Sequence, residues 1–145
     1  MPHSMSAPFR HRSIALLLGA VLFLFTACAG EQGPLEIIGV YSDGYSIHTI
    51  TDAGWEMDFG SGLSLFHVLS YDNISDTLVA HNDTANTFNP GLYSRFDWLY
   101  SGGALYYCQS AYAAASEQEA LAASADAGDL AAGCGGFSWS LLTPQ

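Results

Sequence analysis

Short runs of apolar residues separated by turn residues make up most of the chain after position 35. The runs are rich in β-branched and aromatic residues, and Gly, Asp, Asn or Ser stands between them. The pattern predicts strands at 36–42, 45–51, 63–71, 77–81, 92–100 and 104–110, with a further short strand at 55–59. Because short turns join neighbouring runs, we expect the strands to pair as an antiparallel meander.

Turn residues favour particular connections within this meander. Asp43-Gly44 predicts a two-residue type I′ hairpin, in which both central residues need positive φ. Ser101-Gly102-Gly103 offers the same permissive backbone between the last two of these strands. Asp72-Asn73 predicts a tight connection whose side chains bond the local backbone.

The run at 92–100 shows the clearest alternation of side chains. One face carries Leu92, Ser94, Phe96, Trp98 and Tyr100, and we expect that face to point into the core. On the opposite face, Arg95 and Asp97 stand two residues apart, and their spacing predicts an ion pair.

The chain changes character after residue 110, where it becomes rich in alanine. Ser116 and Glu119 have capping-box spacing, which predicts a helix from Ser116 to about Ser124. A glycine-rich stretch then leads into a closing strand at 137–142. The predicted fold class is mainly β: an antiparallel meander forming a small barrel or curled sheet, with one short C-terminal helix and a closing strand.

The first residues have the organisation of an export signal peptide. Arg10 and Arg12 precede an apolar run at 14–25, and this run is shorter than the roughly 20 residues that span a bilayer. A cleavable signal at 1–27 therefore fits the sequence better than a permanent membrane helix.

The four residues Phe25-Thr26-Ala27-Cys28 resemble the lipobox of bacterial lipoproteins, with Phe25 where that family usually has leucine. The resemblance implies that a dedicated peptidase cuts before Cys28, and that Cys28 carries diacylglyceryl and N-acyl groups of the palmitate type. The expected organisation is a signal peptide at 1–27, a lipid-anchored tether at 28–34 and a β-rich domain at 35–145. The alternative is an ordinary secretory signal with a chance cysteine.

The expected location is the cell envelope, where the protein is membrane-attached through its lipid anchor. Ala29 follows the cysteine, and in lipoproteins generally the absence of aspartate there is compatible with transfer to the outer membrane. The domain would then face the periplasm or the cell surface.

Two further cysteines, Cys108 and Cys134, remain once Cys28 is set aside. An even pair in an oxidising compartment predicts a disulfide. Two free thiols or half of a metal site are the alternatives, but neither cysteine has a Cys-x-x-Cys partner or a neighbouring histidine.

The charge of the chain after Cys28 is strongly negative. All fourteen acidic residues follow Cys28, against the single basic residue Arg95, which makes the formal charge −13; the whole chain has no lysine. A nucleic-acid partner is therefore disfavoured, since phosphate-backbone binding relies on basic patches. A P-loop is excluded by the missing lysine.

Sequence patterns typical of catalytic, cofactor-binding or metal-binding sites are mostly missing. His48, His67 and His81 lie in separate predicted strands, so a metal or catalytic site would have to be assembled across strands. Gly60-Ser61-Gly62 lacks the Gly-x-Ser-x-Gly pattern and is interpreted as a turn. The sequence thus predicts no catalytic, cofactor-binding or metal-binding residue, and no cofactor.

Two segments nevertheless have alternative interpretations. The polar loop at 81–87 could surround calcium, but it has one carboxylate and is better explained by Asx turns. Aromatic residues could line a sugar or apolar pocket, although at strand spacing they are expected in the core first. These are Tyr93, Trp98, Tyr100, Tyr106, Tyr107 and Trp139.

The C-terminal pattern 105–109 (LYYCQ) followed by 133–139 (GCGGFSW) resembles a set of uncharacterised bacterial lipoproteins, and the resemblance implies a shared cysteine framework. The expected function is a non-enzymatic envelope module that binds a small ligand or a protein partner. One alternative is a small hydrolase whose site is assembled from separated His and carboxylate residues. The other is a purely structural envelope component.

Overall fold

The structure is a computed structural model that describes residues 33–145. The predicted signal peptide, Cys28 and residues 29–32 lie outside the described residues. Eight strands and one helix follow in chain order: β1 (Gly39–Ser42), β2 (Ile47–Ile50), β3 (Gly54–Asp58), β4 (Leu63–Asp72), β5 (Thr77–Asn82), β6 (Tyr93–Ser101), β7 (Ala104–Ala114), α1 (Glu117–Ala122) and β8 (Ser140–Pro144). In this part of the chain, no helix combines the length and apolar character needed to cross a membrane.

The strands form a closed antiparallel barrel in which each strand pairs with the next along the chain. The sheet closes where β8 pairs with β1, at Tyr41 with Pro144 and Ser42 with Thr143. The predicted mainly β meander with a short helix and a final strand is therefore confirmed, as a closed barrel. Closure leaves no edge strand open along the ring, which removes the usual site of edge-to-edge aggregation.

Turn chemistry explains one predicted hairpin and corrects another. Gly102 and Gly103 have φ of 60° and 83°, and Ser101 pairs with Ala104, so this connection is a two-residue hairpin with two positive φ values. The type I′ prediction for Asp43-Gly44 is wrong, because Ser42 pairs with Ile47 and four residues form the loop. The Asp43 carboxylate accepts the backbone N–H groups of Tyr45 and Ser46, which stabilises the longer loop.

The predicted side-chain bonding at Asp72-Asn73 is confirmed at Asp72 but is wrong at Asn73. Asp72 Oδ1 accepts a hydrogen bond from the backbone N–H of Ile74 at 2.8 Å. Asn73 instead bonds the N-terminal segment, through Pro34 O and the N–H of Glu36.

The barrel interior is filled with large side chains. Trp55 stacks on Phe96 with ring centroids 4.4 Å apart, and Phe66 meets Phe96 edge to face at 5.0 Å. The buried core cluster around them consists of Leu35, Ile37, Ile50, Trp55, Met57, Phe66, Leu78, Ala80, Phe96, Trp98, Leu105 and Leu142.

The alternation of β6 is confirmed in the middle of the strand and fails at its end. Ser94, Phe96 and Trp98 are buried, but Tyr100 is 57% exposed because the strand continues past the packed core towards its hairpin. Leu99, on the outer face, is buried because it packs with Trp139 in a second cluster outside the barrel.

The two ends of the barrel differ. The end that carries the β2–β3, β4–β5 and β6–β7 connections is covered by the segment before β1, and we call it the closed end. Leu35 and Ile37 are buried there, and Leu35 N–H donates to Asp52 Oδ1 at 2.7 Å. Tyr71 also donates to Gly33 O, so the last residues of the predicted tether contact this end.

Helix α1 packs on the outer surface near the opposite, open end. Its capping-box prediction is confirmed at Ser116, whose hydroxyl accepts the N–H of Glu119 at 3.1 Å. The helix is shorter than predicted, because Ala123 already has extended backbone. Arg95 holds α1 to the barrel by donating from Nη1 to Leu121 O at 2.7 Å.

Arg95 also makes the predicted ion pair. Its Nη2 lies 2.7 Å from Asp97 Oδ1, its Nε donates to the same carboxylate, and Ser110 donates a hydroxyl hydrogen to Asp97 as well. Asp97 is buried, so these charge-assisted bonds compensate the loss of its hydration.

The predicted disulfide is present. Cys108 on β7 is bonded to Cys134, with Cα atoms 5.6 Å apart. The closing strand starts later than predicted, because Gly135 and Gly136, both at positive φ, form a turn that pairs Phe137 with Cys134.

Removing this disulfide should destabilise the barrel. The bond spans a sequence separation of 26 residues, so the double substitution Cys108→Ala/Cys134→Ala should lower the free energy of unfolding by about 3.5 kcal/mol through loop entropy. Urea denaturation measures the change. A reductant should lower the stability of the wild type and not of the variant, and an unchanged midpoint in the variant would contradict the prediction.

Candidate functional site: the mouth of the barrel

A cavity of about 410 Å³ opens at the end of the barrel opposite the N-terminal segment. The β3–β4 and β5–β6 connections and the upper part of β7 surround it. Its described lining consists of Met57, Phe59, Ser61, Gly62, Leu63, Ser64, Phe66, Asn82, Thr87, Phe88, Asn89, Gln109 and Tyr112. An eight-stranded barrel has an interior wide enough either to be filled by side chains or to hold one small ligand.

The glycine-rich stretch at 60–62 forms part of the rim. Phe59 N–H donates to Gly62 O at 3.0 Å, and Gly60 adopts φ of 74°. The segment is a turn between β3 and β4, as the sequence indicated, and it positions Phe59 beside the opening.

The β5–β6 loop forms the other side of the rim and is bonded to the barrel. Asn86 is buried, and its amide exchanges hydrogen bonds of 2.8 Å with both the N–H and the carbonyl of Leu65. Asp83 Oδ1 accepts the N–H of Ala85 at 2.8 Å, which is an Asx turn. These side-chain oxygens of the polar loop are thus engaged with the backbone of the chain itself.

Aromatic and apolar side chains are exposed around the opening. Phe88 is 77% exposed, Tyr112 60% and Phe59 48%, and Leu63 lies beside them. Deeper in the cavity, Phe66 joins this surface to the aromatic core. The lining thus combines apolar surface with polar side chains in a concave site, a combination found in small-molecule pockets.

The aromatics that the sequence singled out lie elsewhere. Trp98 and Tyr107 belong to the interior cluster, whereas Tyr106 and Trp139 belong to the outer cluster at the disulfide. Tyr93 packs in the cluster beneath α1, and Tyr100 lies on the surface of the closed end. Phe59, Phe88 and Tyr112, which line the mouth, were not predicted. The available signal was a large aromatic within a polar turn segment, as at Phe59 and Phe88.

A chain of hydrogen bonds crosses the inner part of the cavity. Gln109 Nε2 donates to Ser94 Oγ at 3.0 Å, and Ser94 Oγ donates to Asn82 Oδ1 at 2.7 Å. Asn82 Nδ2 donates to the carbonyls of Asn89 at 2.9 Å and Tyr112 at 3.2 Å. Asn82 and Ser94 are buried, so the chain of hydrogen bonds satisfies polar groups that have lost contact with water.

A second polar cluster lies inside the barrel and does not line the cavity. His48 is fully buried, and its Nδ1 accepts the indole N–H of Trp55 at 2.9 Å. The ring proton therefore lies on Nε2, which faces Asp43 Oδ2 at 3.2 Å and Ser46 Oγ at 2.9 Å. Burial lowers the pKa of His48, and the contact with Asp43 offsets only part of that effect.

Asp43 is the acceptor at the centre of this cluster. Burial alone would raise its pKa, but hydrogen bonds from the N–H groups of Tyr45 and Ser46 and the contact with His48 bring the pKa below its ordinary value. Tyr107 donates its hydroxyl to Asp43 Oδ2 at 3.1 Å, and burial raises the pKa of Tyr107.

The cluster does not have the geometry of a catalytic triad. In a Ser-His-Asp triad, the hydroxyl and the carboxylate contact opposite nitrogens of the imidazole. Here Ser46 and Asp43 both contact Nε2 of His48, while Trp55 blocks Nδ1. The histidine consequently has no free nitrogen with which to activate a nucleophile.

The other two histidines are brought together on the outer surface. His67 on β4 is paired directly with His81 on β5, and His67 Nε2 contacts Asp83 Oδ2 at 2.7 Å. Within residues 33–145, no three His, Cys, Asp or Glu side chains are arranged to hold a metal ion.

No protein-family model, curated protein or solved structure matches the chain significantly.

The buried His48 should make stability depend on pH. Its pKa in the folded state lies below the ordinary value of 6.5, so below pH 6.5 the unfolded chain binds a proton that the folded chain does not. The free energy of unfolding should therefore fall by up to about 1.4 kcal/mol per pH unit as pH decreases from 6.5 towards the folded-state pKa.

Urea titrations between pH 7.5 and 5 measure this dependence, with His48→Gln as the control. Glutamine can accept from Trp55 and donate to Asp43 but does not titrate. The variant should therefore lose this part of the slope, whatever its absolute stability. Equal slopes in the two proteins would show that His48 is not the group responsible.

Proposed function

We propose that this chain is a lipid-anchored lipoprotein of the bacterial envelope whose barrel is a non-enzymatic binding module. A small, mainly apolar ligand would occupy the mouth of the barrel. The observation that carries the proposal is the cavity of about 410 Å³, with an aromatic rim and a polar inner side, at the open end of an otherwise filled barrel.

The exposed rim supports binding rather than a purely structural role. Phe59, Phe88 and Tyr112 leave apolar surface in water around one opening, and burying that surface against a ligand is favourable by about 25 cal/mol per Å². Contiguous exposed apolar surface of this kind is typical of interaction sites.

The cavity is also largely pre-formed. Asn86 bonds the β5–β6 loop to β4, and the side-chain amide of Asn82, at the end of β5, donates to the carbonyl of Asn89 in the same loop. Phe66 packs against the aromatic core. A site that is ordered before binding avoids part of the entropy cost of association.

The position of the mouth suits attachment through Cys28. Gly33 and Leu35 are bonded at the closed end, and the cavity opens at the other end. Cys28 precedes Gly33 by five positions in the sequence, so a lipid on Cys28 would be attached through the segment that is bonded at the closed end. Several acyl chains anchor a protein firmly, at about 0.8 kcal/mol per buried methylene.

The alternative function, a small hydrolase, is not supported by the positions of the histidines. Of the three histidines, His48 is enclosed with both ring nitrogens engaged, and His67 and His81 lie on the outer surface away from the cavity.

A pair of matched dyes tests whether the mouth binds ligands. N-phenyl-1-naphthylamine is uncharged, whereas 1-anilinonaphthalene-8-sulfonate has the same rings and a negative charge. The uncharged dye should bind with increased fluorescence, and the sulfonate about tenfold more weakly, because the domain is strongly acidic and the described cavity lining contains no basic side chain. The full chain with Cys28→Ala is used, so that no acyl group competes for the site.

Two serine substitutions on β4 locate the bound dye. Ser64 lines the cavity and Ser70 is exposed on the outside of the barrel. Ser64→Phe should fill the site and weaken dye binding at least tenfold, on the order of the loss expected when a small apolar pocket is occupied. Ser70→Phe should bind like the parent, and equal binding by both variants would rule out the mouth as the site.

Lipidation is tested independently in a bacterial host fed with an alkyne fatty acid. The wild-type chain should become labelled and sediment with membranes. Cys28→Ala should lose the label, since the other two cysteines are bonded to each other. Cys108→Ala/Cys134→Ala should keep the label, and a labelled Cys28→Ala variant would refute the lipoprotein assignment.

A further inference from the structure

We infer that the ligand of the mouth is an uncharged molecule with an apolar body and a hydroxyl or amide hydrogen-bond donor, and that Gln109 selects it by accepting that hydrogen bond. The inference rests on the proposed function, because it names the chemical class that the same cavity would take.

The orientation of the Gln109 amide follows from the chain of hydrogen bonds behind it. Asn82 Nδ2 faces two backbone carbonyls, so Asn82 Oδ1 must be the atom that meets Ser94. Ser94 therefore donates its only hydroxyl hydrogen to Asn82 and can only accept from Gln109. Gln109 must present Nε2 to Ser94, which places its carbonyl oxygen on the other side of the amide.

That carbonyl oxygen has no partner among the described residues. Gln109 lines the cavity, and its Nε2 donates to Ser94 at 3.0 Å, while Oε1 accepts no hydrogen bond from residues 33–145. A ligand that expels water from the cavity must replace the hydrogen bond that water makes to this oxygen, or binding bears the cost of an unpaired acceptor.

Charge narrows the ligand class further. The described lining has no acidic, basic or histidine side chain. A charged ligand group would therefore lose its hydration without gaining a counter-ion. An anion would in addition be repelled by the acidic domain. A neutral hydroxyl or amide meets both conditions, since it donates to Gln109 Oε1 and carries no charge.

Two ligands of nearly the same shape test this inference. 2-Naphthol has a hydroxyl donor and is neutral at pH 7, while 2-methoxynaphthalene has the same rings and an ether oxygen that cannot donate. Calorimetric titration of the full chain with Cys28→Ala should give about tenfold tighter binding of 2-naphthol, the size expected for one hydrogen bond in a cavity. This comparison needs no substitution in the site.

Gln109→Met then tests which residue is responsible. Methionine has a similar length and no hydrogen-bonding amide, so the ratio of the two dissociation constants should fall from about ten to about one. The matched control is Gln118→Met, at an exposed position of α1, where the ratio should stay at about ten.

The outcomes separate this inference from the proposed function. If both ligands bind the mouth with equal affinity, the selection by a donor is wrong and the binding function stands. If the ratio of about ten persists in Gln109→Met, Gln109 is not the selecting residue. If neither ligand nor the uncharged dye binds, both proposals fail.

Discussion

The pairing of β1 with β8 is the contact on which the other features depend, because it converts a meander into a ring with an inside and two ends. Only two residue pairs join these strands, and the N–H of Gln145 adds a bond to Val40 O. Closure forces alternate side chains of every strand into one shared interior. The volumes of the side chains at those positions therefore decide whether the interior is filled or contains a cavity.

The interior is filled unequally along the barrel. At the closed end, Leu35 and Ile37 cover the aromatic core from below, and Trp55 and Phe96 occupy the middle. Towards the open end, the inward positions carry small or polar residues such as Ser64 and Gln109, which do not fill the ring. The cavity thus follows from the distribution of side-chain volume along the strands. The aromatic rim arises where the connecting loops place Phe59 and Phe88 over that space.

The two buried polar clusters of the barrel differ in whether all of their hydrogen-bonding groups have partners. The cluster at Asp43 and His48 is closed on itself, since each ring nitrogen of His48 has a partner and Asp43 receives several donors. Such a cluster costs little in the folded state and specifies one arrangement of the core. The chain of hydrogen bonds that ends at Gln109 differs in leaving one acceptor without a described partner at the cavity. That contrast is the reason for proposing that the second network, and not the first, contacts a ligand.

Local patterns in the sequence determined the strands, the meander order, the helix cap at Ser116 and the ion pair of Arg95 with Asp97, because each depends on residues close together in the chain. The pairing of Cys108 with Cys134 followed from their number and the expected compartment. Tertiary structure alone decided that Tyr100 lies outside the core, that His67 faces His81, and that His48 shares its Nε2 between Asp43 and Ser46. The mouth also belongs to this second group, since Phe59, Phe88 and Gln109 come together only when two separate strand connections and strand β7 meet at one end of a closed ring. Periodicity assigns a side chain to a face of a strand, whereas a cavity depends on which faces remain unfilled after the sheet has closed.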